Sequence, residues 1–225
     1  MKVPWHGWGD QCFWGRLMKF DLHMHTRRHS PDAVTDPFDL LKSAIAAGLD
    51  GIVITEHDFL WTEPELEELR AAAPGLVILP GVEVTGRGGD MLCYGITNPF
   101  ALPRGIAWGE LTREVHKQGG ACVAAHPHRW GQPFEKLLRD QKPELDGIEV
   151  MSNNMDADLR SKAAALLVKY PHFAQLGNSD SHDPNTVGCC YTNFDCEIRT
   201  TADLVVAIRG RKGIARVNEK AKTAR

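Results

Sequence analysis

From residue 18 onward, short apolar runs alternate with longer amphipathic stretches. Runs rich in Val, Ile and Leu cover 18–22, 51–55, 76–84, 91–94, 121–125, 147–151, 173–176 and 214–217. Several are apolar at successive positions, the pattern of strands covered on both faces. Five stretches between them carry helix signals. Asp36-Pro37 supplies a cap and a first-turn proline for 38–47, which Gly48 closes. The others are 63–73, 108–118 with Gly119-Gly120 behind it, 156–169, and 200–211 with Thr200 or Thr201 as cap. This alternation predicts a parallel α/β fold, either an open doubly wound sheet or a closed barrel.

The polar residues separate these two. Nearly every apolar run ends at its C-terminal side in a histidine or carboxylate: Asp21-Leu22-His23, Glu56-His57, Glu83, His126, Glu149 and Asp180. For so many strand ends to serve one site they must converge, as they do at the mouth of a barrel, whereas an open sheet gathers ligands at one switch point. The expectation is one barrel domain over 18–225. Residues 1–17, where Trp5, Trp8 and Trp14 follow no strand or helix period, read as an extension.

Composition narrows the class. The 225 residues are 43% hydrophobic, enough for one sizeable core, and the net charge of −3 gives no general attraction to nucleic acid or anionic membranes. No run approaches the ~20 apolar residues that span a bilayer, and the N-terminus lacks the continuous apolar core of a signal peptide. Six cysteines, at 12, 93, 122, 189, 190 and 196, form no C-x-x-C pair and read as free thiols. That usage fits a reducing compartment and a cytoplasmic location.

The chemistry lies in five short motifs: Asp21-Leu22-His23-Met24-His25, Thr55-Glu56-His57-Asp58, Gly81-Val82-Glu83, Ala125-His126-Pro127-His128 and Asn178-Ser179-Asp180-Ser181-His182. In extended chain His23 and His25 project together and can approach one cation, with Asp21 placed to orient an imidazole. Histidine suits zinc, iron or manganese, and carboxylates bridge ions, so the mixed set points to more than one metal. A structural zinc site would use closely spaced cysteines.

Together with His29-Ser30-Pro31-Asp32-Ala33, these motifs resemble those of the PHP (polymerase and histidinol phosphatase) family, in the family's order, over 20–182. The short form is similar to stand-alone members described as metal-dependent phosphoesterases. The resemblance implies a distorted (β/α)7 barrel with two or three divalent ions at the C-terminal strand ends, and hydrolysis of phosphate esters. It implies that His23, His25, Glu83 and Asp180 hold one ion and that Glu83 bridges to a second bound by His126. Asp32, His57 and His182 would hold a third. Asp90 stands where many relatives have a histidine before a Leu-Gly-Tyr-like run, so either Asp90 replaces it as an oxygen ligand or the second ion is held more weakly.

The expected reaction is hydrolysis of a phosphate monoester, of a nucleotide or another small molecule, by a metal-bridging hydroxide. Asp58 and His182 are candidates to protonate the leaving group. Arg129 and His128 are candidates to bind the phosphate. Alternatives are a nuclease acting on nucleic-acid ends, disfavoured by the absence of an aromatic–basic stripe, and a non-catalytic metal-binding regulator. Hydrolysis of an amide or lactone is a further option.

Overall fold

The computed structural model describes residues 17–218. In chain order its elements are β1 (Met18–Asp21), α1 (Pro37–Ala46), β2 (Gly51–Ile54), α2 (Glu63–Ala72), β3 (Val77–Gly86), β4 (Gly89–Tyr94), α3 (Trp108–Lys117), β5 (Ala121–Ala124), α4 (Phe134–Gln141), β6 (Gly147–Met151), α5 (Ala157–Lys169), β7 (Ala174–Gly177), β8 (Cys190–Phe194), α6 (Thr201–Arg209) and β9 (Gly213–Val217). Each run named from the pattern forms a strand, and each of the five helices forms within two residues of its expected ends. β8 and α4 were not legible, because Thr192 and Asn193 interrupt the apolar residues of 190–194 and 134–141 is short.

Local chemistry sets the helix starts. Asp36 accepts a hydrogen bond from the Phe38 amide at 3.0 Å, and Thr62 with Glu65, and Thr200 with Asp203, form capping boxes.

The strands make one sheet in the order β7-β6-β5-β4-β3-β2-β1-β8-β9. It curls into a nearly closed, distorted β/α barrel. β1–β7 are its staves and the antiparallel β8–β9 pair, joined through α6, fills the gap between β1 and β7. At that gap a Cβ on Gly177 of β7 would lie only 3.0 Å from Ala215 of β9. Beyond the strand ends the seam closes directly: the His25 amide donates to the Ser181 carbonyl and the Asp180 amide to the His23 carbonyl, both at 2.9 Å. The pattern predicted a parallel sheet, but the β1–β8, β3–β4, β4–β5 and β8–β9 pairings are antiparallel. Between β3 and β4 the reason is length: only Arg87 and Gly88 separate them, a hairpin and not a crossover.

Three apolar clusters hold the layers. Phe20, Leu22, Val53, Leu92, Tyr94 and Val123 pack with Leu204 and Ile208 of α6. Since Arg209 of α6 donates to the Gly120 carbonyl just before β5, α6 covers the end opposite the motifs. Trp108, Leu111 and Phe134 pack α3 and α4 against β3–β6, and Leu40, Leu41, Leu66 and Leu69 pack α1 and α2 against β2 and β3. Cys93, Cys122, Cys189 and Cys190 are buried free thiols and Cys196 is half-buried. No described helix is long and apolar enough to cross a membrane. Trp5, Trp8, Trp14, His6 and Cys12 lie outside the described residues.

Candidate metal centre

The motif residues meet at one mouth of the barrel, and Glu83 is their hub. β3 runs past the end of β2, so that Glu83 pairs with His57 across a parallel bridge. Its Oε1 lies 3.3 Å from His23 Nε2 and 3.2 Å from His126 Nε2. Its Oε2 lies 3.3 Å from His25 Nε2 and 2.9 Å from His57 Nδ1. Four imidazoles thus surround one carboxylate, which is 1% exposed. Asp180 Oδ1 completes the first group at 3.2 Å from His23 Nε2 and 3.5 Å from His25 Nε2, while the two imidazole nitrogens stand 3.1 Å apart.

These spacings fit a cation. Ligands about 2.0–2.2 Å from a tetrahedral centre are separated by about 3.3–3.6 Å. Two further observations agree. Glu83 Oε2 is buried and makes no hydrogen bond, despite its proximity to His57 Nδ1. Burial pushes the Glu83 and Asp180 carboxyls up, yet the His23 charge and hydrogen bonds from neighbouring imidazoles hold both well below the usual carboxylate range. His57 answers in kind. Burial would strip its proton, but the Glu83 carboxylate facing its Nδ1, with Asp32, raises it to about 9, whereas burial lowers His25. Such a field draws protons where no cation is present, and favours a divalent ion over them.

Among the described residues the donor atoms form three overlapping sets, each within 4.8 Å: His23, His25 and Asp180; His23, Glu83 and His126; His25, His57 and His182. The third set shares two members with the group expected from the resemblance. Asp32 is on the exposed loop beside it, its Oδ2 at 3.2 Å from His57 Nε2 and 3.3 Å from His182 Nε2. The His25 ring stacks on those of His57 and His182, each centroid 4.3 Å away, and those two rings lie 5.8 Å from each other. Asp90, opposite Thr85 at the start of β4, reaches the mouth because β4 runs backwards. It lines the cleft with His57 and His126 but belongs to none of the compact sets. Burial and then the Glu83 charge raise its carboxyl.

Behind the donors sits Glu149, fully buried. Its Oε1 faces His23 Nδ1 at 3.0 Å and accepts from Asn178 Nδ2 at 2.7 Å, and its Oε2 accepts from the His126 amide at 2.8 Å. An acceptor at Nδ1 fixes the tautomer that leaves Nε2 bare toward the centre. Asp21, expected to orient an imidazole, instead accepts backbone amides of Ser179 and Gly188, both at 2.9 Å. Burial pushes its carboxyl up to about 6. Glu56 ties down the 26–30 loop by accepting from Thr26, Ser30 and Trp61.

The remaining candidates divide. Arg129 donates to Asp180 Oδ2 at 3.1 Å, beside Asn154 at 2.7 Å, and lines the cleft. His128 lines neither cavity at the mouth; its ring turns toward Phe134, with centroids 5.6 Å apart. Asp58 has both oxygens engaged, one by the Thr85 amide and one by Arg104 Nη1, each at 2.9 Å. His182 Nδ1 lies 3.1 Å from its partner, the Asp180 carbonyl, which directs a bare Nε2 outward. The cleft beside the donors is about 630 Å³ and adjoins a second of about 320 Å³ that shares Asp32 and Arg129. Arg104, Trp130 and Asn154 border these spaces without any sequence signal, since each sits in a loop with no periodicity. Strain collects here: Asp58, His126, His128, Trp130 and Asp180 all take positive φ.

Comparison with known proteins bears on this arrangement. A family profile described as PHP-associated matches residues 161–212. An uncharacterized protein of Methanocaldococcus jannaschii is 30% identical over 146 residues, 60% of this chain and 82% of that protein. Among solved structures, a two-domain protein of Bacteroides vulgatus containing a predicted PHP-like metal-dependent phosphoesterase superposes with a TM-score of 0.69 at 22% identity. That match covers 91% of this chain and 66% of the other, so the chain spans just under two thirds of that protein's length. An amidohydrolase of Chromobacterium violaceum gives 0.61 at 18% identity, covering 89% and 98%. A lesion-specific endonuclease of Pyrococcus furiosus gives 0.62 at 17% identity, covering 90% and 58%. With its ordered motifs, its barrel and these relatives, the chain belongs to the PHP-domain family.

Proposed function

We propose that the protein is a metal-dependent hydrolase acting on phosphate esters, with a small-molecule monoester as substrate. The observation that carries this reading is Glu83, whose two oxygens each face two imidazoles, the arrangement of a carboxylate bridging cations. In this reading His23, His25, Glu83 and Asp180 would hold one ion. Glu83 and His126, with Asp90 nearby, would hold a second, and His57, His182 and Asp32 would hold a third. Zinc, manganese or iron suits such donors. Bound ions would supply a Lewis acid for the phosphate oxygens and acidify water at neutral pH.

The chain's own residues do the rest. Glu149 keeps His23 in one tautomer and orientation. Arg129, 24% exposed at its side chain and anchored on Asp180, presents remaining donors toward a phosphate oxygen. For His182 the two expected roles compete for Nε2, and the partner at Nδ1 supports ligation over proton donation. Asp58 positions Arg104 at the cleft.

A second reading keeps the centre and takes a phosphodiester at a nucleic-acid end, favoured by the exposed Arg104 and Trp130 at the open cleft. The test is metal content of the purified protein with a screen of nucleotides, sugar phosphates and short oligonucleotides. Two or more ions and monoester turnover are expected. Glu83→Ala should lower bound metal and reduce turnover by at least about 100-fold, in line with removal of a group that acts with others as a unit. Full metal content with normal turnover in that variant would remove Glu83 from the centre.

A further inference from the structure

Trp130 combines two features that are unfavourable for an aromatic residue. Its indole is 79% exposed, and its backbone sits at φ 53°, ψ 29°, a left-handed conformation that an aromatic residue rarely takes. Strain retained beside a site, on a large exposed aromatic, points to a ligand.

The loop that carries it is tied down. The Arg129 amide donates to the His126 carbonyl at 3.2 Å, and the Gln132 amide to the Arg129 carbonyl at 3.1 Å. The Gln132 side chain donates to the Gly88 carbonyl at 2.9 Å and accepts from the His128 amide at 3.1 Å. The indole is therefore presented by a fixed turn, its ring centroid 5.7 Å from that of His126. The Arg129 guanidinium covers one side at 4.2 Å, and the high exposure leaves the other open. The same cleft is walled by Gly86, Gly88 and Gly89, whose missing side chains leave bare backbone. A Cβ at Gly89 would lie 1.7 Å from Gln132. Polar and charged side chains, Asp32, Asp90, Arg104 and Gln132 among them, stand round the rim, with Pro31 beside them. A flat ring with polar edges satisfies both the indole face and the polar groups at the rim.

We infer that Trp130 is the stacking platform of a subsite for a nucleobase-type ring, so that the ester hydrolysed carries such a ring. This rests on the phosphoesterase reading. Arg104, its side chain 70% exposed and held by Asp58, stands at the rim to meet an anionic group on the same molecule. The ring belongs to a mononucleotide or to the end of a single strand, and the experiment separates these sources.

The metal-loaded full chain is compared with Trp130→Ala, Trp130→Phe and, as a remote control, Phe100→Ala, whose side chain is exposed away from the cleft. Substrates are adenosine monophosphate, ribose 5-phosphate and a short single-stranded oligonucleotide. Equilibrium dialysis with adenosine supplies a readout independent of turnover. In Trp130→Ala the preference for a base-bearing ester over ribose 5-phosphate should fall about 5- to 100-fold, the range of base–aromatic stacking. Trp130→Phe should keep it within about threefold of the wild type, as smaller aromatic surfaces still stack, and Phe100→Ala should leave it unchanged. Loss confined to adenosine monophosphate assigns the ring to a mononucleotide, and loss confined to the oligonucleotide assigns it to a strand end. An unchanged preference in Trp130→Ala for both would overturn the subsite. Failure of the wild type to turn over any ester would instead sink the phosphoesterase reading. Dialysis would then still decide Trp130: adenosine bound by the wild type and lost in Trp130→Ala supports the platform, and no binding by the wild type overturns it.

Discussion

At the scale of single residues, the centre depends on which proton sits where. Three donors converge on Glu149: His23 Nδ1, Asn178 Nδ2 and the His126 amide. A glutamine there must point an N–H at one of them. Glu149→Gln should therefore weaken metal affinity about 10- to 100-fold, the usual effect of losing an orienting carboxylate, with an unchanged circular dichroism spectrum. Wild-type affinity by competition with a chelator would refute the role. His57 gives a pH signature. Its metal-free imidazole is raised from 6.5 to about 9, burial being outweighed by Glu83 and Asp32. Between those values the metal-free protein holds a proton that a cation must displace. Affinity should therefore rise with pH up to about 9, and binding at pH 7.5 should release protons. Calorimetry in buffers of different ionisation enthalpy measures this; no release at pH 7.5 would contradict the ligation of His57.

Elements meet through side chains that leave little slack. β1 and β2 pair with Phe20 opposite Gly51, and the fully buried Phe20 ring fills the space where a side chain at 51 would go. A Cβ at Gly51 would lie 2.2 Å from that ring. Gly51→Ala should cost about 1–3 kcal/mol by overpacking, read from urea unfolding. Combining it with Phe20→Leu should recover part of the loss. If Gly51→Ala is neutral, the interior there is looser than the close approach requires. The same scale explains Asp90: a two-residue hairpin turns β4 back and brings its first residues to the mouth where the other strands end.

For the whole molecule the question is how the barrel closes. β7 and β8 meet where the Thr192 hydroxyl accepts from the Gly177 amide at 3.0 Å and donates to the Gly177 carbonyl at 2.9 Å. One side chain thus replaces a strand partner at a seam where both backbone groups are buried. Thr192→Val keeps shape and removes both bonds, so it should lower stability by about 2 kcal/mol. Amide exchange at Gly177 should accelerate in parallel. Unchanged exchange would show that the seam is held elsewhere. Closure also serves the centre, because the Asp180 amide donates to the His23 carbonyl across this seam. Asp180 and His23, 157 positions apart, are thereby fixed against each other.

The chain's pattern was sufficient for the strands from 18–22 to 173–176, five helices and a barrel, because buried strands and capped helices write local signals of composition and period. The histidines and carboxylates at strand ends were legible for the same reason, and the barrel brings the donor atoms of His23, His25, Glu83, His126 and Asp180 close together. The tertiary structure decided what depends on orientation and on distant partners. It set the backward course of β4 and the antiparallel β8–β9 pair that closes the barrel. It transferred the orienting role from Asp21 to Glu149, turned His128 away from the cleft, and engaged both oxygens of Asp58. It also brought Arg104 and Trp130 to the cleft from loops without period. A sequence specifies which groups are available and roughly where each strand delivers them. Which way a side chain turns at the end of its strand is settled by partners arriving from elsewhere in the chain, and no local pattern records them.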